Sequence, residues 1–140
     1  MSSIFSQNFI RPHSFADVTA GGRVLGYSFD MFLPDSRGSH LSGLQNFTVL
    51  EDGVPVSTEQ LIFVLHGKEF MVSHFPMLAY EYWRIDEDAQ LKVLNGKSCR
   101  QVGRVEIKMD LRVPFAGTWE EPVVTPMRAW VCPGSREEEA

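Results

Sequence analysis

The sequence predicts an all-β chain folded as an antiparallel β-sandwich, and three observations favour this fold class. Short segments rich in β-branched and aromatic residues recur along the chain, with turn residues between them. Val105 to Val113 alternates between apolar and charged side chains, which is typical of a strand with one face on a core. No helical periodicity extends over a stretch long enough to predict an α-helix. We therefore expect two packed sheets, with a small, partly open β-barrel as the alternative.

The first predicted strand runs from Arg23 to Leu33, with apolar side chains at every second position. Pro34 has no backbone N–H to donate to a ladder, so it ends the strand. A polar loop, residues 35–40, leads towards a second strand at Phe47–Leu50. Asp52 and Gly53 then form a turn.

The middle of the chain supplies further strands. Leu61–Leu65 is a continuous apolar run, and a short turn joins it to Glu69–Val72, which predicts a hairpin in the centre of the core. Val54–Val56 contains a proline and is expected at a sheet edge. Gln90–Leu94 alternates between polar and apolar side chains and ends at an Asn-Gly turn.

Both ends of the chain lack a strand pattern. Residues 1–22 have a spacing typical of neither a strand nor a long helix, and three prolines follow Trp119. We predict an N-terminal arm at 1–21, a sandwich domain at 22–118 and a C-terminal extension at 119–140 with a frayed acidic end.

Chain length and net charge limit the functions that the protein can have. The 140 residues fit one domain, and a net charge of -5 provides no basic stripe for nucleic acid or an anionic membrane. The N-terminus lacks a signal-peptide pattern, so we expect a cytoplasmic protein. Cys99 and Cys132 have no zinc-binding spacing and are expected to be unpaired, reduced thiols.

Residues that carry chemistry do not form a recognisable constellation. The four histidines are too far apart in sequence for a paired metal site, and no serine near His40 lies in a nucleophile motif. We therefore predict no catalytic residue and no metal ligand in this chain. The exposed candidates are Arg37 in its loop and the Tyr82-Trp83-Arg84 cluster, since planar cations and aromatic rings favour sugars, aryl groups and protein partners.

Several motifs in order resemble the small β subunit of bacterial C-glycoside deglycosidases. They are GYSFDMFLPDSRGSHLS, VLEDGVPV, FVLHGKEF, YEYWRI with QLKVL, and VEIKMDLRVPF. The resemblance covers roughly Gly22 to Phe115, and its most specific parts are the Leu-Pro, Arg-Gly and Leu-Ser pairs of the loop around Arg37 and the Asp52-Gly53 turn.

The resemblance implies a complex with a larger TIM-barrel α subunit that holds a divalent metal, manganese, and the main acid-base residues. The implied reaction is lyase cleavage of the carbon–carbon bond between sugar and aromatic aglycone in a 3-keto-C-glycoside. This chain is then an accessory subunit, inactive alone. The residues expected to contact the partner or line the active-site mouth are Arg37, Gly38, His40, Tyr82, Trp83 and Arg84.

Two other functions fit the residues. A stand-alone carbohydrate-binding sandwich would use Tyr82, Trp83 and Trp119 as stacking platforms, and a structural module would bind only protein. Apolar residues without a clear place in one sandwich are also expected to cover the partner. They are Phe5, Phe9, Trp119 and Trp130.

Overall fold

The computed structural model describes residues 8–33, 38–113 and 123–133. Its strands, in chain order, are β1 Ala16–Ala20, β2 Arg23–Met31, β3 Ser39–His40, β4 Leu44–Glu51, β5 Val54–Pro55, β6 Leu61–Leu65, β7 Lys68–Met71, β8 Tyr82–Trp83, β9 Ala89–Val93, β10 Val105–Val113 and β11 Val123–Val131. Short 3₁₀ turns connect several of them, at Leu41–Gly43, Thr58–Gln60, Val72–Met77 and Cys99–Gln101.

The strands form two main antiparallel sheets and one short ladder. The larger sheet has the order β1-β2-β9-β6-β7, the smaller one has the order β11-β10-β4-β5, and β3 pairs with β8. The sheets are open at their edges, which confirms the predicted all-β sandwich over a barrel.

The core lies between the sheets and is built from the predicted alternation. In β10, Val105, Ile107, Met109 and Leu111 are at most 2% exposed. The larger sheet contributes buried residues from its central strands, with Phe29 of β2 opposite Leu91 of β9. The period of two therefore identified the buried face of β10 and that of β2 from Tyr27 onwards, whereas Leu25, on the same predicted face, is 42% exposed.

β4 is longer than the sequence predicts, and it contains a β-bulge. Thr48 lies opposite Lys108 and Gln45 lies opposite Asp110, so Asn46 and Phe47 share one partner position. Asn46 adopts a left-handed backbone with φ of 55°, a conformation that asparagine tolerates better than most residues. The predicted strand began only at Phe47 because the bulge interrupts the period of two.

Besides the two-residue strands β3 and β8, two longer strands lie where the sequence predicted none. β1 pairs with β2 at the edge of the larger sheet, with a register shift after Val18, and four of its five residues are exposed. β11 pairs with β10 along nine residues, although it contains Pro126. An edge strand tolerates a proline because one side of its backbone has no ladder to complete. The expected fraying of the acidic end, residues 136–139, lies outside the described residues.

The N-terminal segment before β1 packs on the end of β2. The Phe32 N–H donates to the Phe9 carbonyl at 3.0 Å, and Ile10 forms an antiparallel bridge with Met31. Phe9 is 1% exposed, so the expectation that it covers a partner was wrong. Its ring contributes to this chain's own core.

Two further observations concern the state of the cysteines and the absence of a membrane-spanning helix from the described residues. Cys99 and Cys132 are free thiols in the structure. Within residues 8–33, 38–113 and 123–133, no helix has the length and apolar character needed to cross a bilayer.

Candidate partner-contact site

The β3–β8 ladder brings together three of the residues that the sequence nominated for partner contact. His40 pairs with Tyr82 in this ladder, and Ser39 pairs with Trp83. The His40 and Tyr82 rings meet edge to face, with centroids 4.9 Å apart. Both side chains are exposed, so the pair presents an aromatic edge at the surface.

Gly38 lies against the ring of Tyr82. A Cβ atom at position 38 would come 2.7 Å from Cε2 of Tyr82 and 2.5 Å from the Trp83 carbonyl oxygen. Only a residue without a side chain fits these contacts. The Arg-Gly motif thus supplies the glycine on which the Tyr82 ring rests, while Arg37 itself lies outside the described residues.

Trp83 supports this ladder from within the core. Its side chain is fully buried, its ring packs edge to face on Phe63 at 5.2 Å, and its indole N–H donates to the Glu87 carbonyl at 3.1 Å. In this conformation Trp83 is not a surface contact. The carbohydrate-stacking alternative loses one of its platforms, and Trp119, another, lies outside the described residues.

Arg84, which follows Trp83 in the chain, is exposed and pairs with a nearby carboxylate. Its guanidinium donates from Nε and Nη2 to the two carboxylate oxygens of Asp86, at 3.1 and 2.9 Å. The same hydrogen bonding lowers the pKa of Asp86. The Arg84 charge therefore already has a local partner, but such an exposed pair exchanges readily for another one.

Other ionisable side chains near the ladder also have partners within the chain. Lys68 bonds to Glu81 at 3.1 Å, and the His66 ring nitrogen lies 2.9 Å from Glu87. Glu87 also accepts the backbone N–H of Arg84 at 2.9 Å. The surroundings of Tyr82 thus combine paired charges with exposed aromatic rings.

The sequence did not nominate the most exposed apolar residues of this region. Met77 is 69% exposed, Tyr80 is 95% exposed and Ile85 is 47% exposed. They lie in and around tight turns, where a period of two gives no information about exposure. With Tyr82, which is 41% exposed, they form what we call the 77–85 surface.

A groove of about 600 Å³ lies next to the same segment. Phe47 and Phe75 contribute aromatic walls, while Asn46, Ser73 and Arg112 contribute polar groups. No carboxylate or imidazole occurs among its described lining residues. These residues offer hydrogen bonds and apolar contact, and none of them is a general acid or base near neutral pH.

Metal ligation has no candidate in the described part of the chain, since no group of three or more His, Cys, Asp or Glu side chains could hold an ion there. Two of the histidines have different neighbours: His40 packs on Tyr82, and His66 pairs with Glu87.

Comparison with known protein families assigns the chain to one of them. A model described as C-glycoside deglycosidase beta subunit matches residues 5–115. The chain belongs to this family. Comparison with curated protein sequences finds no match. The family match confirms the resemblance seen in the motifs, and a beta subunit implies a partner subunit.

The matched range covers the described residues of the candidate contact site. It includes β1 to β10, with Gly38, the β3–β8 ladder and the 77–85 surface. β11 follows the end of the match and completes the smaller sheet at its edge. β11 therefore lies outside the matched residues, although it pairs with β10 within the same sheet.

Proposed function

We propose that this C-glycoside deglycosidase beta subunit is the accessory subunit of a carbon–carbon lyase. Its partner is a larger TIM-barrel α subunit that holds a divalent metal, manganese, and supplies the acid-base residues. The complex cleaves the bond between the sugar and the aromatic aglycone of 3-keto-C-glycosides. The single observation that supports this proposal is the family match over residues 5–115.

The chemistry follows from the ketone at C3 of the sugar. A carbonyl acidifies the neighbouring C2–H, so a base removes that proton and the electrons form an enolate. When the enolate collapses, the C1–aglycone bond breaks, the aglycone carbon takes up a proton, and a C1–C2 double bond remains in the sugar. The metal would stabilise the enolate oxygen. No water is consumed, so the reaction is an elimination.

The role of the present chain is to complete the complex rather than to supply reacting groups. We place Arg37, Gly38, His40, Tyr82 and Arg84 at the partner contact, near the mouth of the active site. In this arrangement Trp83 holds the ladder in position from inside the core, because its ring is buried and its N–H is hydrogen-bonded. Apolar and aromatic residues with paired charges around them are typical of protein interfaces.

The elimination is tested with a 3-keto-C-glycoside deuterated at C2 and the co-purified complex. We expect slower release of the aglycone than from the unlabelled substrate, and loss of the deuterium from the sugar product. Mass spectrometry of the sugar fragment distinguishes the mechanisms. Release of the aglycone with deuterium retained at C2 would contradict the elimination.

A further inference from the structure

The 77–85 surface concentrates exposed apolar side chains in a short stretch of chain. Nine large apolar residues are exposed in the described part of the protein, and four of them lie between Met77 and Ile85. The other five are distributed over β2, β5 and β11. Single exposed apolar residues are ordinary, whereas a concentration of them often marks an interaction site.

The backbone beneath this surface is held at several points. The Ser42 N–H donates to the Leu78 carbonyl at 3.3 Å, and the Leu41 N–H donates to the Glu81 carbonyl at 2.9 Å. Phe75 anchors the preceding 3₁₀ turn through edge-to-face contacts with Phe47 and Phe63. The exposed side chains therefore project from a backbone that is already ordered, which lowers the entropy cost of binding.

The charges that flank the surface identify the chemistry of its partner. Glu81, Arg84 and Glu87 each have an oppositely charged or ionisable neighbour within this chain, namely Lys68, Asp86 and His66. A strongly charged partner would have to displace these pairs. An apolar partner surface would instead bury Met77 and the tyrosine rings, with hydrogen-bond acceptors for the tyrosine hydroxyls.

We propose that Met77, Tyr80, Tyr82 and Ile85 form the docking surface for the larger subunit of the enzyme, and that the facing surface of that subunit is apolar and uncharged. The inference rests on the proposed function. The occupant is the larger subunit because Tyr82 packs directly on Gly38 and His40, which lie with it among the residues that match the family, and because a beta subunit implies a partner subunit.

The test measures binding of this chain to the separately purified larger subunit. Tyr80→Asp and Met77→Asp each place a carboxylate on the surface without touching this chain's core, because both side chains are mostly exposed. Val54→Asp is the matched control, since Val54 is 63% exposed in β5 and lies outside the surface. We expect the double variant to raise Kd by about 30-fold or more, while the control leaves it unchanged.

The readouts separate this inference from the proposed function. Unchanged affinity of the double variant overturns the docking surface, even if the complex cleaves its substrate. A complex that assembles without releasing aglycone overturns the proposed reaction, while loss of binding in the double variant still supports the surface. Loss of self-association in the variant, with normal binding to the larger subunit, would show that a second copy of this chain is the occupant and overturn the proposal.

A second comparison, of Tyr80→Phe with Tyr80→Asp, separates the contribution of the hydroxyl from that of the ring. Tyr80→Phe retains the ring and removes the hydroxyl, so a loss of affinity in this variant would report the predicted hydrogen bond to the partner. We expect a smaller increase in Kd than for Tyr80→Asp. Equal effects of the two variants would contradict an apolar facing surface, because the ring would then contribute nothing.

Discussion

Gly38 and Tyr82 are in direct contact, and no side chain at position 38 is compatible with the observed position of the Tyr82 ring. A Cβ atom there would lie 2.7 Å from the ring and 2.5 Å from the Trp83 carbonyl oxygen. The second contact is to backbone, which yields less readily than a side chain. The absence of a side chain at Gly38 thus allows the backbone before β3 to lie directly against Tyr82 and Trp83 of β8.

Gly38→Ala is therefore expected to displace the β3–β8 ladder and weaken binding of the larger subunit. Overpacking of this kind costs about 1–3 kcal/mol in folding free energy. Thermal unfolding and the Kd of the complex measure the two effects. Gly67→Ala is the control, since its Cβ would meet no atom within 4 Å and only its left-handed backbone, with φ of 74°, is strained. Normal binding by Gly38→Ala would show that the contact is irrelevant to docking.

Ile107→Asp is expected to leave no soluble domain. Ile107 is fully buried between Val49 of β4 and Ala129 of β11, and an unpaired carboxylate there costs on the order of several kcal/mol against a total stability of about 5–15 kcal/mol. Lys108→Asp is the neighbouring control on the exposed face, opposite Arg128. We expect it to fold, and equal soluble yields of the two variants would contradict the assigned faces of β10.

A buried polar contact joins the two sheets. Glu51 of β4 is 5% exposed and accepts hydrogen bonds from the Tyr27 hydroxyl of β2 and, at 2.8 Å, from the Asn95 amide. The Lys97 ammonium lies 3.4 Å from the same carboxylate. Burial, together with the hydrogen bond to Glu51, raises the pKa of Tyr27 well above its usual value near 10.

This contact predicts a loss of stability in alkali. Above pH 10 the unfolded chain releases the Tyr27 proton while the folded chain retains it, so unfolding becomes more favourable as pH rises, by about 1.4 kcal/mol per pH unit. Below pH 10 both states hold the proton and this contribution is constant. Tyr27→Phe should cost about 1–3 kcal/mol at neutral pH and flatten the decline of Tm above pH 10.

Tyr80→Phe is the matched control for the alkaline measurement, because the Tyr80 side chain is 95% exposed. We expect it to retain the wild-type decline. An equally steep decline in Tyr27→Phe would mean that other groups are responsible for the loss of stability.

The sequence predicted the parts of the fold in which one face is buried and the other exposed. β10 is the clearest case, since its inward side chains alternate with charged ones. β1 and β11 were missed because an edge strand has a weaker pattern: β1 is largely exposed, and β11 contains a proline. The bulge at Asn46 shortened the predicted β4 for a related reason, since an extra residue shifts the alternation by one position.

The candidate site was predicted in part. The predicted contact residues include Gly38, His40 and Tyr82, which lie together at the ladder, and their role in binding a partner stays a prediction. The sequence motifs could not show that Trp83 points inward, because a two-residue strand gives no period, and they passed over Met77 and Ile85 in turns. Exposure in a turn depends on how distant strands pack beneath it.

The accessory role of this chain is tested most directly by reconstituting activity from separate subunits. The larger subunit is held at fixed concentration with manganese and a 3-keto-C-glycoside, and this chain is added in increasing amounts while release of free aglycone is followed. We expect no release by either subunit alone, a rate that rises with this chain to a plateau, and loss of activity on addition of a chelator. Metal-dependent release of aglycone by this chain alone would contradict its assignment as the accessory subunit.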